Sequence, residues 1–119
     1  MKKVTAGREE LGDFAPKFAQ LNDDVLFGEV WAREEQLSAR DRSIVTVTAL
    51  MASGILDRSL KFHIQNAKKH GVCKEEMAEL LTHAAFYAGW PKAGRLCVWP
   101  KKYTKPPSEI RSSPQVLGN

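Results

Sequence analysis

Two side chains in this sequence are suited to moving a proton near neutral pH. His63 carries an imidazole, which titrates in that range, and it lies between Leu60 and Ala67 on an apolar helical face. Glu29 lies one turn from apolar residues, and burial beside them would tune its proton affinity. Glu29 could therefore act as a base or orient the imidazole. Each residue also has a purely structural alternative. His63 could be a core histidine with a satisfied hydrogen bond, and Glu29 could form an ion pair with Arg33, one helical turn later.

Two arginines could bind a carboxylate ligand. A guanidinium offers a planar, bidentate match to a carboxylate, and Arg40 and Arg42 stand two residues apart. On a helix such residues point to different faces, so only one of them can line a pocket. The structural alternative is that they cap the helix or form ion pairs with Asp41 or Glu35 at a subunit contact.

Aromatic residues flank a predicted helix end at Gly89. Tyr87 and Trp90 could form the walls of a site, although aromatic residues in such positions more often serve packing. His83 lies on the same predicted helix and suits either the core or an interface. His70 follows two lysines and is expected at a solvated helix terminus.

The elements that would position these residues are predicted to be helices. Apolar spacing predicts helical pieces over residues 9–20, split at Gly12 and Pro16. The polar run Asn22–Asp24 could then cap a short helix through a side-chain oxygen. That short helix would carry Glu29.

Three longer helices are predicted to follow. Ser38 is a candidate cap for a buried helix that ends at Gly54, and Asp57 is a candidate cap for a helix that ends at Gly71. The strongest apolar periodicity comes next, over residues 73–89. No window of strand length alternates convincingly between polar and apolar residues. The predicted fold class is therefore all-α.

The composition is that of a single soluble domain. The chain has 119 residues, of which 43% are apolar, enough for one modest core. The longest apolar stretch falls short of the roughly 20 residues that a membrane span needs, and no secretory pattern follows the first residues. A cytoplasmic protein without a membrane partner is expected. Acidic and basic residues nearly balance over residues 1–91, which argues against a nucleic-acid partner.

The character of the sequence changes near residue 93. Glycines and prolines recur from Gly94 onward, and apolar periodicity is lost. We therefore expect a helical domain over residues 1–93 and a divergent, disordered tail over residues 94–119. A frameshift that replaced a final amphipathic helix would explain this tail, and genuine divergence is the alternative.

Five short motifs follow one another within residues 8–93. They are Phe27-Gly28-Glu29-Val30-Trp31, Leu37-Ser38-Ala39-Arg40-Asp41-Arg42-Ser43, Leu60-Lys61-Phe62-His63-Ile64, Gly71-Val72-Cys73-Lys74-Glu75-Glu76 and Tyr87-Ala88-Gly89-Trp90-Pro91. Together they resemble the carboxymuconolactone decarboxylase family, which implies a helical fold like that of alkylhydroperoxidase D. In the peroxidase branch a Cys-x-x-Cys pair occupies the positions of Leu56 and Ser59, so thiol peroxidase chemistry of that type is excluded.

The resemblance implies a decarboxylase that acts on 4-carboxymuconolactone or a related small carboxylated lactone, without a metal or an organic cofactor. Such a reaction needs a cation for the carboxylate, a donor near the lactone carbonyl and an acid for the final proton. Proton handling would fall to His63 and Glu29, carboxylate binding to Arg40 or Arg42, and the walls to Tyr87 and Trp90. The resemblance also implies self-association into a trimer or a hexamer. The alternative function is a non-catalytic or stress-linked oligomer of the same fold.

Overall fold

The computed structural model describes residues 3–95, and all of the regular structure in them is helical. No strand occurs between residues 3 and 95, which confirms the all-α prediction. Within these residues, no helix is long and apolar enough to cross a membrane. The helices in chain order are α1 (Ala6–Leu11), α2 (Pro16–Gln20), the π-helix π1 (Leu21–Val30), α3 (Ala39–Ala52), α4 (Arg58–Lys69) and α5 (Lys74–Ala88).

Residues 90–95 are also helical, up to the last described residue. The predicted tail begins at residue 94, so most of it lies outside the described part of the chain. The cytoplasmic location stays a prediction.

The chain divides into two compact units, one up to Arg42 and one from Ser43 onward. The first unit contains α1, α2 and π1, which pack on one another. The predicted split between its first two helices is confirmed. Helix α1 ends at Leu11, and α2 begins with Pro16 at its first position, where the missing N–H removes no helical hydrogen bond.

A buried carboxylate holds the first unit together. Asp23 is only 2% exposed, and its two oxygens accept hydrogen bonds from the backbone N–H groups of Gly7 at 2.8 Å and Arg8 at 3.0 Å. These are among the first N–H groups of α1, which lack partners within the helix. The prediction that Asn22–Asp24 caps a new helix is wrong, because α2 runs directly into π1 and Asp23 instead caps α1.

The second unit has one apolar core built by α3, α4 and α5. Each of these helices turns one side inward, and the connection between α4 and α5 adds Val72. The buried core residues are Val47, Met51, Leu60, Ile64, Ala67, Val72, Met77, Leu81 and Ala84. Burial of this apolar surface is the main term that stabilises the second unit.

The predicted helix boundaries around α3 and α4 are confirmed by their caps. The hydroxyl of Ser38 accepts a hydrogen bond from the N–H of Asp41 at 3.0 Å, and the carboxylate of Asp57 accepts one from the N–H of Ser59 at 3.0 Å. After α4 the chain turns at Gly71, whose φ of +94° is a left-handed conformation that favours glycine.

The helix at residues 90–95 is tied to the end of α3. The ammonium of Lys92 donates a hydrogen bond to the carbonyl of Ala52 at 3.1 Å. The last carbonyls of an α-helix have no partner within the helix, and a lysine there also matches the helix dipole. The contact therefore stabilises both segments of the second unit.

Candidate functional site

His63 is a half-buried residue on α4, as the apolar spacing around it predicts. Its neighbours along the helix, Leu60 and Ile64, belong to the core. The ring of Phe62 meets the imidazole edge-on, with the two ring centroids 4.9 Å apart. The imidazole is therefore held by helix packing on one side and by an aromatic ring on another.

One nitrogen of this imidazole is buried and unsatisfied. The Nδ1 atom of His63 makes no hydrogen bond in the described part of the chain, although it is shielded from solvent. The alternative of a core histidine with a satisfied hydrogen bond is thus not what the structure shows for this atom. An unsatisfied buried polar atom costs stability, so it is a place where a ligand or another polar group would gain a strong contact.

Burial also sets the charge state of this residue. Desolvation lowers the pKa of His63 below its ordinary value of 6.5, because transfer out of water disfavours the imidazolium form. His63 is consequently neutral over most of the neutral pH range. As an imidazolium it would be a stronger acid than a solvated histidine.

Glu29 lies near the end of π1, and its side chain is exposed. The ion pair between Glu29 and Arg33, which was the structural alternative for Glu29, does not occur among the described residues. The helix around it is unusual, because the N–H of Trp31 bonds to the carbonyl of Leu26, five residues earlier. Such π-helical bonding is rare and occurs frequently at functional sites.

The two arginines make structural contacts near the start of α3. Arg40 approaches the carboxylate of Asp41 at 3.5 Å. Arg42 donates from Nε to the carbonyl of Leu37 at 3.1 Å and from Nη2 to the carbonyl of Arg33 at 3.0 Å. These contacts agree with the structural alternative for both residues. A guanidinium has five N–H donors, so such contacts do not by themselves prevent carboxylate binding.

Tyr87 and Trp90 are aromatic residues on the surface of the second unit, 82% and 60% exposed. Tyr87 contacts the ring of His83 with the centroids 5.2 Å apart, and Trp90 contacts the ring of Phe86 at 5.1 Å. No ring contact or hydrogen bond joins either of them to His63 among the described residues. The predicted role of Tyr87 and Trp90 in a site with His63 therefore stays a prediction.

A cavity of about 270 Å³ occurs in the first unit, and no motif in the sequence predicts it. Lys3, Asp23, Asp24 and Phe27 contribute to its lining, and no predicted site residue does. Its two carboxylates are ionised, because both have a pKa below the ordinary 3.8. The guanidinium of Arg8 pairs with both carboxylates, and Lys3 also lines the cavity, so charges of both signs surround it.

The causes of those lowered pKa values differ between the two carboxylates. Burial raises the pKa of Asp23, but the hydrogen bonds from Asn22 and from the backbone of Arg8 and Gly7 outweigh it. The pKa of Asp24 is lowered mainly by its hydrogen bond with the Arg8 guanidinium, which binds both Asp24 oxygens, at 2.9 Å and 2.7 Å. Periodicity does not reveal this cluster, because its members are about fifteen residues apart.

No group of three or more histidine, cysteine or acidic side chains is arranged to hold a metal ion within residues 3–95.

Comparison with known proteins identifies the family. The family model described as the carboxymuconolactone decarboxylase family matches residues 16–101, which is most of the chain. The chain belongs to the carboxymuconolactone decarboxylase family. The resemblance inferred from the five motifs is thus confirmed. The match includes every predicted site residue and leaves out α1.

A curated member of this family gives a second comparison. The 4-carboxymuconolactone decarboxylase of Acinetobacter baylyi is 38% identical to this chain over 90 residues. The aligned part covers 76% of this chain and 66% of the relative, just under two thirds of its length. No solved structure matches the chain significantly.

Proposed function

We propose that this chain is a carboxy-lyase that decarboxylates 4-carboxymuconolactone or a related small carboxylated lactone without a cofactor. The observation that carries the proposal is the half-buried His63, whose buried Nδ1 has no partner in the described chain. Family membership and the similarity to a 4-carboxymuconolactone decarboxylase support the choice of reaction. The identity of the substrate and the role of each residue are both part of this proposal.

In the proposed reaction the bond between the carboxylate carbon and the lactone ring breaks, and carbon dioxide leaves. The electron pair is delocalised into the conjugated lactone carbonyl, and the ring carbon then takes up a proton. His63 supplies that proton as an imidazolium and is left neutral. Because burial lowers the pKa of His63, the imidazolium gives up its proton readily, whereas its population falls as the pH rises.

The other predicted residues have supporting roles in this proposal. Glu29 acts as a base that accepts a proton from solvent and passes it on to the neutral His63, or as the group that orients the imidazole. Arg40 or Arg42 binds the substrate carboxylate until carbon dioxide leaves. Tyr87 and Trp90 provide aromatic walls that reduce the access of water.

The test of the reaction is ultraviolet-monitored turnover of 4-carboxymuconolactone by the purified chain and by His63→Ala. Loss of a positioned general acid should lower turnover by about 10²- to 10⁴-fold. Gln65→Ala is the matched control, because Gln65 is exposed on the same helix and should leave turnover unchanged. Absence of turnover in the unaltered chain would refute the proposed substrate, and equal turnover in both variants would refute the role of His63.

A double-mutant cycle tests whether Glu29 acts together with His63. Turnover is compared for the unaltered chain, Glu29→Gln, His63→Ala and the double variant. Residues of one catalytic unit give strongly non-additive losses, so the double variant should be little worse than His63→Ala. Fully multiplicative losses would mean that Glu29 and His63 act independently.

A non-catalytic oligomer of the same fold is the second candidate function. The contacts of Arg40 with Asp41 and of Arg42 with two backbone carbonyls favour it, since they give both cations a structural role. Ligand-induced thermal stabilisation separates the two functions. A carboxylated lactone that binds the folded chain raises the melting temperature, and above its Kd the shift grows with the logarithm of the ligand concentration. A non-catalytic scaffold without a ligand site shows no shift.

We also propose that the chain self-associates into a trimer or a hexamer. Large apolar side chains remain exposed in both units, among them Phe14, Phe18, Phe86 and Trp90. Exposed apolar surface of this kind is typical of protein–protein interfaces. The particle mass in solution, measured by light scattering, tests this part of the proposal directly.

A further inference from the structure

Phe62 is a large aromatic residue of α4 that lies outside the core. The buried residues of this helix are Leu60, Ile64 and Ala67, whereas Phe62 is 54% exposed. More than half of its surface thus contributes nothing to the core of the second unit. Replacement of Phe62 by another apolar residue should therefore leave the fold intact.

Phe62 contacts the imidazole of His63 in a defined geometry. The two ring centroids are 4.9 Å apart and the ring planes cross at 80°, which is an edge-to-face arrangement. Aromatic pairs favour this arrangement over a face-to-face stack, so it restricts both the distance and the angle between the rings. No other ring contact, hydrogen bond or ion pair joins the imidazole to residues 3–95.

The orientation of the imidazole is not the one that its polar atoms favour. Nδ1 of His63 is shielded from solvent and has no partner among the described residues, and such burial costs free energy. An imidazole that turned freely could bring Nδ1 to water, since the side chain is only half-buried. Because no hydrogen bond fixes the ring, packing must hold it, and Phe62 is the ring packed against it.

The same orientation leaves the second nitrogen of the imidazole accessible. Nε2 of His63 makes no hydrogen bond with the described residues, and only Nδ1 is both buried and without a partner. Nε2 is therefore within reach of solvent and of a small ligand. A fixed ring with one accessible nitrogen suits a general acid, because proton transfer depends on the position of the donor atom.

We propose that Phe62 is a positioning residue, which holds the His63 imidazole with Nδ1 inward and presents Nε2 for proton transfer. The imidazolium gives its Nε2 proton to the ring carbon of the substrate, and the neutral imidazole keeps the proton on Nδ1. Phe62 takes no part in these bond changes and acts only through His63. Its role in turnover rests on the proposed reaction, whereas its hold on the imidazole requires no substrate.

The first test follows the ring protons of His63 by NMR spectroscopy of the full chain without substrate. The ring current of Phe62 displaces these signals, so Phe62→Leu should move them toward the positions of a mobile histidine. Phe62→Tyr keeps the aromatic ring and should leave them nearly unchanged. The signals of His70 and His83 are internal controls, since no ring contact joins either residue to Phe62 within residues 3–95. Equal His63 signals in Phe62→Leu and in the unaltered chain would overturn the proposal.

The second test measures kcat and KM for 4-carboxymuconolactone. Loss of an edge-to-face contact corresponds to about a 2- to 10-fold change in rate, so Phe62→Leu should lower kcat by that factor and leave KM unchanged. Phe62→Tyr should retain the kcat of the unaltered chain, as should the control Gln65→Ala on the same helix. A rise in KM alone, or an equal loss of kcat in Phe62→Tyr, would overturn the positioning role.

The two tests separate this proposal from the proposed reaction. A chain whose His63 signals respond to Phe62→Leu, but which does not turn over the lactone, would refute the reaction alone. A chain that turns over the lactone at the same kcat in Phe62→Leu would refute the positioning role alone.

Discussion

The backbone of Gly7 lies close to residues of α2 and π1, and this close approach leads to a sharp prediction for Gly7→Ala. A Cβ atom at this position would lie 2.6 Å from an oxygen of Asp23, 2.9 Å from the amide nitrogen of Asn22 and 3.0 Å from the carbonyl of Ala19. The Ala19 carbonyl belongs to the backbone and cannot rotate away. The added methyl group must therefore displace α1 or the Asp23 carboxylate that caps it.

Two opposing effects set the expected size of the change. Alanine is favoured over glycine within a helix by about 1 kcal/mol, which would stabilise α1. Overpacking of a close contact costs about 1–3 kcal/mol, and displacement also disturbs the hydrogen bond that the buried N–H of Gly7 donates. We expect a net destabilisation of α1 docking by about 1–2 kcal/mol, which corresponds to a 5- to 30-fold change in its opening equilibrium.

Native-state hydrogen exchange of the peptide that covers α1 measures this change directly, because it reports local opening even where the whole chain stays folded. Gly94→Ala is the control. Gly94 lies in the helix at residues 90–95, and a Cβ there would meet no atom within 4 Å. That variant should leave exchange in α1 unchanged and stabilise its own helix slightly.

Exchange in α1 that is equal or slower in Gly7→Ala than in the unaltered chain would refute the reasoning. It would show that the N-terminal segment adjusts without cost and that the contact with Asp23 does not hold α1 in place.

Three further predictions follow from the core and from the shifted pKa values. Leu60→Ala should lower the free energy of unfolding in urea by about 2–5 kcal/mol, because Leu60 is fully buried, whereas Gln65→Ala should stay within about 0.5 kcal/mol. The pH profile of kcat/KM should fall as the pH rises through the pKa of His63, which burial lowers below 6.5; a profile that rises there would mean that His63 acts as a base. The amide proton of Gly7 in NMR spectra should titrate with Asp23 at a midpoint below 3.8, since the pKa of Asp23 is lowered. The stabilisation that ionised Asp23 gives to the docking of α1 is therefore fully present above pH 3.8, and it is lost as the pH falls through the lowered pKa. A midpoint of the Gly7 amide titration at or above 3.8 would contradict this prediction.

Local signals predicted helices α3, α4 and α5 well because these signals act over a few residues. Ser38 and Asp57 cap their helices through bonds that span two or three residues. Gly71 ends α4 because only a residue without a Cβ adopts its positive φ readily. The buried side of α5 follows directly from helical periodicity.

The first unit was harder to predict because a tertiary contact overrides a local preference. Asp23 has the residue type and the polar neighbours of a helix cap, yet it caps α1, sixteen residues away along the chain. A contact between residues so far apart in the chain produces no periodic pattern in the sequence. The π-helical bonding of π1 is equally hidden, since its bonds span five residues and apolar patterns are interpreted with the α-helical period.

For the candidate site, the sequence could place His63 on an inward helix face but could not show the state of its nitrogen atoms. Whether Nδ1 finds a partner depends on which groups the fold brings within hydrogen-bond distance, and in the described chain it finds none. The same limit applies to Arg42, whose contacts with two carbonyls depend on the turn that precedes α3.

The family match begins at residue 16, so α1 lies outside it, while the helix that carries Glu29 lies within it. Asp23 joins these two parts, because it belongs to π1 and binds the backbone of α1. The buried carboxylate is stable only where α1 supplies its N–H donors, since an ionised group without them would be expensive to bury. Docking of α1 is therefore a condition for the observed packing of π1, and α1 contributes to the position of Glu29 without being part of the family domain.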